Sequence, residues 1–310
     1  MEYEKVGILL TENCNASCRM CCDSRGIVSG KTVFEQELDL ILERIRAVDS
    51  ISTIGITGGE PLLYPELVEH ILNYDFGRHM SFTIKTNGFW GRNINKCESF
   101  ISQNHRKLAD ISMSYDSFHR EFIPVRCLQN IIMTATKYGV HTEVVGCFLK
   151  NGMKPGDILN ELEETAYYTD FYYQPVIRTG RACELKEYEW ITPLKTEETE
   201  IHCTGVLKPN LLINANLDVY PCCSQVIENT ILKFGNLHSQ TLNEIIELIK
   251  YNKIMFMIFT KGFRPFLDMM KKNKIKFPNK LTSPCEMCEY LFKSDWLLED
   301  ISQDGICTNL

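Results

Sequence analysis

The sequence predicts an α/β protein: a partial (βα)6 TIM-like barrel followed by a small cysteine-rich α+β domain. Three observations carry this expectation. Short β-rich apolar runs alternate with amphipathic helical stretches over roughly the first 180 residues. A 310-residue chain suits one large α/β domain with an appendage, and buries about 75% of its unfolded surface without disulfides. The alternation stops near Arg181, after which cysteines return at Cys203, Cys222, Cys223, Cys285 and Cys288. The expected boundary therefore separates 1–181 from 182–310.

The elements follow in order. Residues 6–10 read as a strand, and 33–47 as a helix with Phe34, Leu38, Leu40, Ile41, Ile45 and Ala47 on its apolar face. Residues 53–57 form a short strand. Residues 65–73 form a helix with proline at its start, where the missing N–H costs little. Strands at 81–85, 111–114, 142–149 and 172–177 alternate with helices at 97–107, 127–138 and 158–168. Repeated βα units imply a parallel sheet with right-handed crossovers, and sites at the C-terminal ends of its strands. Beyond the boundary, 211–214 and 218–220 suggest a hairpin turning at Ala215-Asn216, and 242–250 and 263–272 suggest helices.

Composition narrows the function. The chain has fourteen cysteines and no charged-then-apolar start followed by a cleavage site. No apolar run approaches the roughly 18 residues of a membrane span. The longest, 254–259, lies between Lys253 and Lys261. A cytoplasmic, cysteine-rich chain points to metal rather than disulfides. A net charge of −7 argues against a general nucleic-acid binder, which needs a basic footprint, but leaves room for a peptide partner.

Five strand ends carry polar, charged or cysteine motifs. Cys14, Cys18 and Cys21 follow the first strand at spacing Cys-x3-Cys-x2-Cys. Three thiolates hold three irons of a 4Fe–4S cluster and leave the fourth open. Zinc or buried thiols are the alternative, and Cys22 is expected to pack. Thr57-Gly58-Gly59-Glu60-Pro61 ends the second strand. Its glycines allow close backbone approach and Glu60 is able to accept from an ammonium group, although a plain turn has the same pattern. Lys85-Thr86-Asn87-Gly88 ends the third strand as a turn or a contact. Ser112, Ser114 and Asp116 share a side of the fourth, as a ribose site or a solvated face. Arg178 follows the sixth as a carboxylate contact or a surface arginine.

In this order the motifs resemble the radical SAM superfamily over roughly residues 5–181. The resemblance implies that Cys14, Cys18 and Cys21 bind a 4Fe–4S cluster whose open iron takes S-adenosylmethionine. It implies that Gly58, Gly59 and Glu60 meet the amino group, Asn87, Ser114 and Asp116 the ribose side, and Arg178 the carboxylate. The chain departs at Met20, where many members carry an aromatic residue.

Cys203, Cys222, Cys285 and Cys288 suit a second 4Fe–4S cluster, with structural zinc as the alternative. Cys97, Cys127, Cys147, Cys183 and Cys307 read as buried hydrophobes. This half resembles the short SPASM/twitch-like auxiliary-cluster domain of peptide-modifying radical SAM enzymes. The whole chain is similar to radical SAM peptide epimerases of the YydG type. The likeness rests on Asn87-Gly88-Phe89-Trp90-Gly91, Ser114-Tyr115-Asp116, His202-Cys203, Tyr220-Pro221-Cys222-Cys223-Ser224, Lys261-Gly262-Phe263 and Cys285-x2-Cys288. It implies L-to-D epimerisation in a ribosomally made precursor peptide, with Cys223 returning hydrogen and a flavodoxin or ferredoxin as reductant. Asn210 stands where that family carries a functional aspartate. Peptide crosslinking and a non-catalytic metal-binding peptide module are the competing expectations. With the first strand so close to the start, no separate leader-binding domain is expected before it.

Overall fold

In a computed structural model of the chain the described residues are 2–22, 30–186, 189–197, 200–203, 205 and 209–293. Cys307 lies outside them. The first part runs β1 (Lys5–Leu9), α1 (Glu35–Arg46), β2 (Thr53–Thr57), α2 (Pro65–Asn73), β3 (Ser81–Thr86), α3 (Ile94–Asn104), β4 (Leu108–Ser114), α4 (Val125–Tyr138), β5 (His141–Phe148), α5 (Pro155–Leu162) and β6 (Asp170–Pro175). Strands β1 to β6 pair in parallel and in sequence order. This is the (βα)6 arrangement that the repeats predict.

Period-two alternation gives the sheet two unlike faces. Ile54, Ile56, Phe82, Ile84, Ile111 and Val144 are buried against the helices. Each contributes about 1.5–3 kcal/mol of apolar burial. The opposite, concave face is small and polar, with Gly55 and Thr57 on β2, Thr83 and Lys85 on β3, and Ser112 and Ser114 on β4.

Two details differ from the sequence expectation. Phe34 is 68% exposed, because the helix starts after it and Glu37 accepts its backbone N–H. The fifth helix ends at Leu162. Glu163 adopts φ 53°, and residues Glu163–Tyr168 form a 3-10 turn with both tyrosines exposed.

The second part contains β7 (Leu194–Lys195), β8 (Asn210–Ile213), β9 (Asp218–Tyr220), β10 (Gly235–Asn236), α6 (Leu242–Tyr251), α7 (Lys253–Lys261), α8 (Arg264–Lys272), β11 (Lys280–Leu281) and α9 (Pro284–Phe292). The β8–β9 hairpin does not stand apart. β8 pairs in parallel with β1, so β10-β9-β8 extends the barrel sheet to nine strands. The turn is also longer than expected. Leu217, at φ 63°, completes a three-residue loop, and its fully buried side chain offsets the left-handed backbone. Helices α7 and α9 were not expected; Asn252 and Ser283 cap their first turns. The 254–259 run lies within the nine-residue α7, and no helix among the described residues is long and apolar enough to cross a membrane.

Candidate functional site

A cavity opens at the C-terminal ends of the barrel strands. Cys14, Cys18 and Cys21 line it together with Gly58, Gly59, Asn87 and Ser114. The sequence motifs from β1, β2, β3 and β4 therefore meet in one place. The cysteine loop is held by backbone. Gly59 N–H donates to Thr11 C=O at 2.7 Å, and Glu60 N–H to Asn13 C=O at 2.8 Å. A Cβ on Gly59 would stand 2.2 Å from the Asn13 carbonyl oxygen, and one on Gly58 2.4 Å from that of Thr11. Both positions require glycine for this close approach. On the far side Arg181 N–H donates to Cys21 C=O at 3.0 Å.

The three thiols suit iron. Burial pushes Cys14 up to about 11; the Ala16 N–H 3.4 Å from its sulfur works against this, and Glu60, Cys18 and Cys21 add to it. A cysteine ligand gives up its proton when metal binds. Among the described residues no three His, Cys, Asp or Glu side chains close on one point as they would around a single ion. The loop cysteines instead line the wall of a cavity that also has glycine backbone and polar side chains. A cluster with an attached ligand fits that donor set.

Three expected contacts are placed differently. Glu60 is fully buried and faces away from the cavity. Its carboxylate accepts from Leu62 N–H, Asn87 N–H and the Thr86 hydroxyl at 2.7–3.0 Å. It fixes the strand end that carries Asn87 rather than reaching an amino group. Asp116 is likewise buried. Its oxygens accept from Phe118, His119 and Cys147 N–H and from the His119 ring at 2.9 Å. Burial opposes charge on both partners, but the ion pair wins. Asp116 is held below the usual carboxylate range, and His119 is raised to about 10. Asp116 thus positions His119, which lines the cavity. Arg178 pairs with Glu286 at 3.2 Å and lies over the Trp190 ring. Arg181 takes the cavity wall instead, with its Nε buried and unpartnered among the described residues. An anionic ligand group fits that orphaned donor.

Cys22 and Cys147, expected only to pack, both line the cavity. Lys85, Gln174, Glu228 and Asn229 join them. Asn229 donates to Thr179 and to Glu289 of α9, each at 3.2 Å, which draws the second part over the barrel mouth. Lys85 and Cys22 lie within or beside motifs already singled out, but no local motif marks Cys147, Gln174, Glu228 or Asn229. Strand phase would have found Cys147 and Gln174.

The second cysteine set shares one neighbourhood, although among the described residues no three of its thiols close on a single point. Cys222 is pushed up by burial and then by Cys223, Cys285 and Cys203; Cys288 is raised by burial and by Cys222, Cys203 and Cys285. Cys285 and Cys288 share one face of α9 through their three-residue spacing. Tyr3 donates to Pro221 C=O at 3.2 Å and so fixes the strand end before Cys222.

Cys223 is exposed and stands on the concave face. A Cβ on Gly7 would lie 3.8 Å from its Cβ, and the Asn210 amide donates to its sulfur at 3.7 Å. Gly7 shares its face with Leu9, which lines the cavity. Two residues of strand separate them, roughly 7 Å.

Comparison with known proteins agrees with this arrangement. Residues 8–162 match the radical SAM superfamily, and residues 203–289 match an iron–sulfur cluster-binding domain. The chain is 26% identical over 301 residues to YydG of Bacillus subtilis, a protein provisionally named for peptide biosynthesis; the match covers 95% of this chain and 93% of YydG. Among solved structures, anSMEcpe with bound AdoMet and the Cp18Cys peptide is similar in fold, with a TM-score of 0.62, 13% identity and coverage of 97% of both chains. Streptococcus suis SuiB bound to its precursor peptide SuiA has a TM-score of 0.56 at 12% identity, covering 79% of this chain and 64% of SuiB.

Proposed function

The chain belongs to the radical SAM superfamily, and on that premise we propose that it epimerises residues of a ribosomally made peptide from L to D. Its cofactors are a 4Fe–4S cluster, S-adenosylmethionine and auxiliary iron–sulfur. When bound, the cluster and S-adenosylmethionine supply a carbon-centred radical able to remove a hydrogen atom from a strong C–H bond. In this reading Cys14, Cys18 and Cys21 hold the cluster. Gly58 and Gly59 offer backbone to the methionyl end, Arg181 its orphaned Nε to the carboxylate, and Asn87 and Ser114 contact the ribose side. Glu60 and Asp116 act as positioning residues behind them. Cys203, Cys222, Cys285 and Cys288 hold the auxiliary group. The two barrel and auxiliary units, 1–181 and 182–310, share the work of making the radical and deciding its fate.

The observation that carries the reading is the position of Cys223. It stands on the concave face beside Gly7, one strand repeat of roughly 7 Å along β1 from Leu9, which lines the cavity. A peptide Cα between Cys223 and the cavity loses its hydrogen on one face and regains one on the other. The Cys223 Sγ–H bond breaks as the new Cα–H bond forms on the other face. One proton from solvent and one electron, which the auxiliary iron–sulfur group that the adjacent Cys222 would help to hold could supply, would restore the thiol. YydG, with its peptide-biosynthesis name, and the peptide-bound SuiB and anSMEcpe structures support a peptide as the substrate.

Cys223→Ala tests this. The variant is expected to form 5′-deoxyadenosine with the peptide at a rate near that of the parent, but no D-residue. A D-residue product in undiminished yield would remove Cys223 from the role.

A further inference from the structure

Sheet order leaves β6 as an edge. It pairs with β5 on one side and, among the described residues, with no strand on the other. Open edges are normally guarded by lysine, proline, a bulge or short length. The opposite edge, β10, spans only two residues, Gly235–Asn236. β6 has six and reads Asp170-Phe171-Tyr172-Tyr173-Gln174-Pro175, with its one charge at the start and its proline at the end. Its aromatic side chains are open to solvent: Tyr172 is 52% and Tyr173 67% exposed, and Tyr168 just before them is 52% exposed.

This edge is continuous with the cavity. Tyr172 and Gln174 are in register with Val145 and Cys147, which both line the cavity, as does Gln174 itself. In a parallel ladder every second residue directs its N–H and C=O away from its neighbour strand. Val176 N–H donates to Phe148 C=O across the β5 side. The alternation then turns the Phe171 and Tyr173 main chain outward.

We propose that an extended segment of the peptide substrate docks on β6 as a further strand. The proposal rests on the peptide reading given above. Strand addition draws affinity from main-chain hydrogen bonds, and alternate side chains of the added strand face the concave side. It therefore delivers every second residue toward the cavity with little dependence on sequence. Exposed tyrosines along the edge add contact area at low entropic cost.

Hydrogen exchange tests this on the full chain carrying its clusters and S-adenosylmethionine, without reductant. The probe is a synthetic peptide from a short reading frame adjoining the gene. The peptide is expected to slow exchange at Phe171 and Tyr173 by about fivefold or more. N-methylation at alternating peptide amides is expected to abolish that protection in one phase and spare it in the other. Protection confined to other strands, none at β6 with saturating peptide, or indifference to N-methylation would overturn the proposal. Protection that grows with protein concentration without peptide would overturn it in favour of a second copy of the chain. Because no turnover is needed, β6 protection without deuterium at Cα in a reducing assay counts against epimerisation alone. Deuterated product without β6 protection counts against docking alone.

Discussion

Gly59 shows how strictly single residues set this site. An added methyl group would press on the Asn13 backbone at 2.2 Å and displace the cysteine loop. Gly59→Ala is expected to cost about 1–3 kcal/mol and to lower bound iron, read by thermal melting and visible absorbance. Gly156→Ala has no heavy atom within 4 Å in the first turn of α5, and is expected to gain about 0.4–1 kcal/mol with full iron content. Equal loss in both variants would break the link between glycine and cysteine loop. Asn210 is the other test at this scale. Asn210→Ala removes the amide beside Cys223 and is expected to cut epimerised product per deoxyadenosine by about fivefold, without slowing deoxyadenosine formation. An unchanged ratio would make that amide a bystander. The cysteines and glycines were legible in the sequence because spacing and conformational need are local. Glu60, Asp116 and Arg178 were misplaced for the opposite reason. A polar side chain at a strand end serves a ligand or the protein's own N–H groups and carboxylates, and local sequence does not distinguish the two.

At the scale of elements the βα repeats were readable from periodicity, and strand ends fell within a few residues of expectation. Helices α7 and α9 were missed because one reads as a bare apolar run and the other as cysteine ligands. Asn252 and Ser283 are the capping signals that mark them. The base of the sheet offers a pH test. His141 lies between Asp110 at 2.8 Å and Asp170 at 3.0 Å. Burial works against its charge, but bonds to the two carboxylates raise it above the usual histidine range. Folding stability from this pair is therefore fully present below about pH 6.5 and lost as pH rises through the raised value. The exposed geometry limits it to about 0.2–1 kcal/mol. Asp170 opens β6, so local exchange at that strand, corrected for intrinsic base catalysis, is expected to quicken across this range. His141→Gln should abolish the pH dependence; its persistence would assign it elsewhere.

Across the whole molecule, the sequence divides the chain at Arg181 while the structure runs one nine-stranded sheet through both parts. The β8–β9 hairpin carries Asn210 at one end and leads into Cys222 and Cys223 at the other. Its parallel pairing with β1 brings these residues beside the strand whose Leu9 lines the cavity. Long-range pairing of this kind has no local signature, so the sequence offered Cys223 only by resemblance. The central claim is that this thiol returns hydrogen to a peptide Cα. It is tested most directly by mass spectrometry of the modified peptide after turnover in deuterated water. Because a thiol proton exchanges with solvent, the account predicts a gain of about one mass unit per modified residue, at Cα and in the D-configuration. A product lighter by a pair of hydrogens, or a D-residue carrying no deuterium, would contradict it.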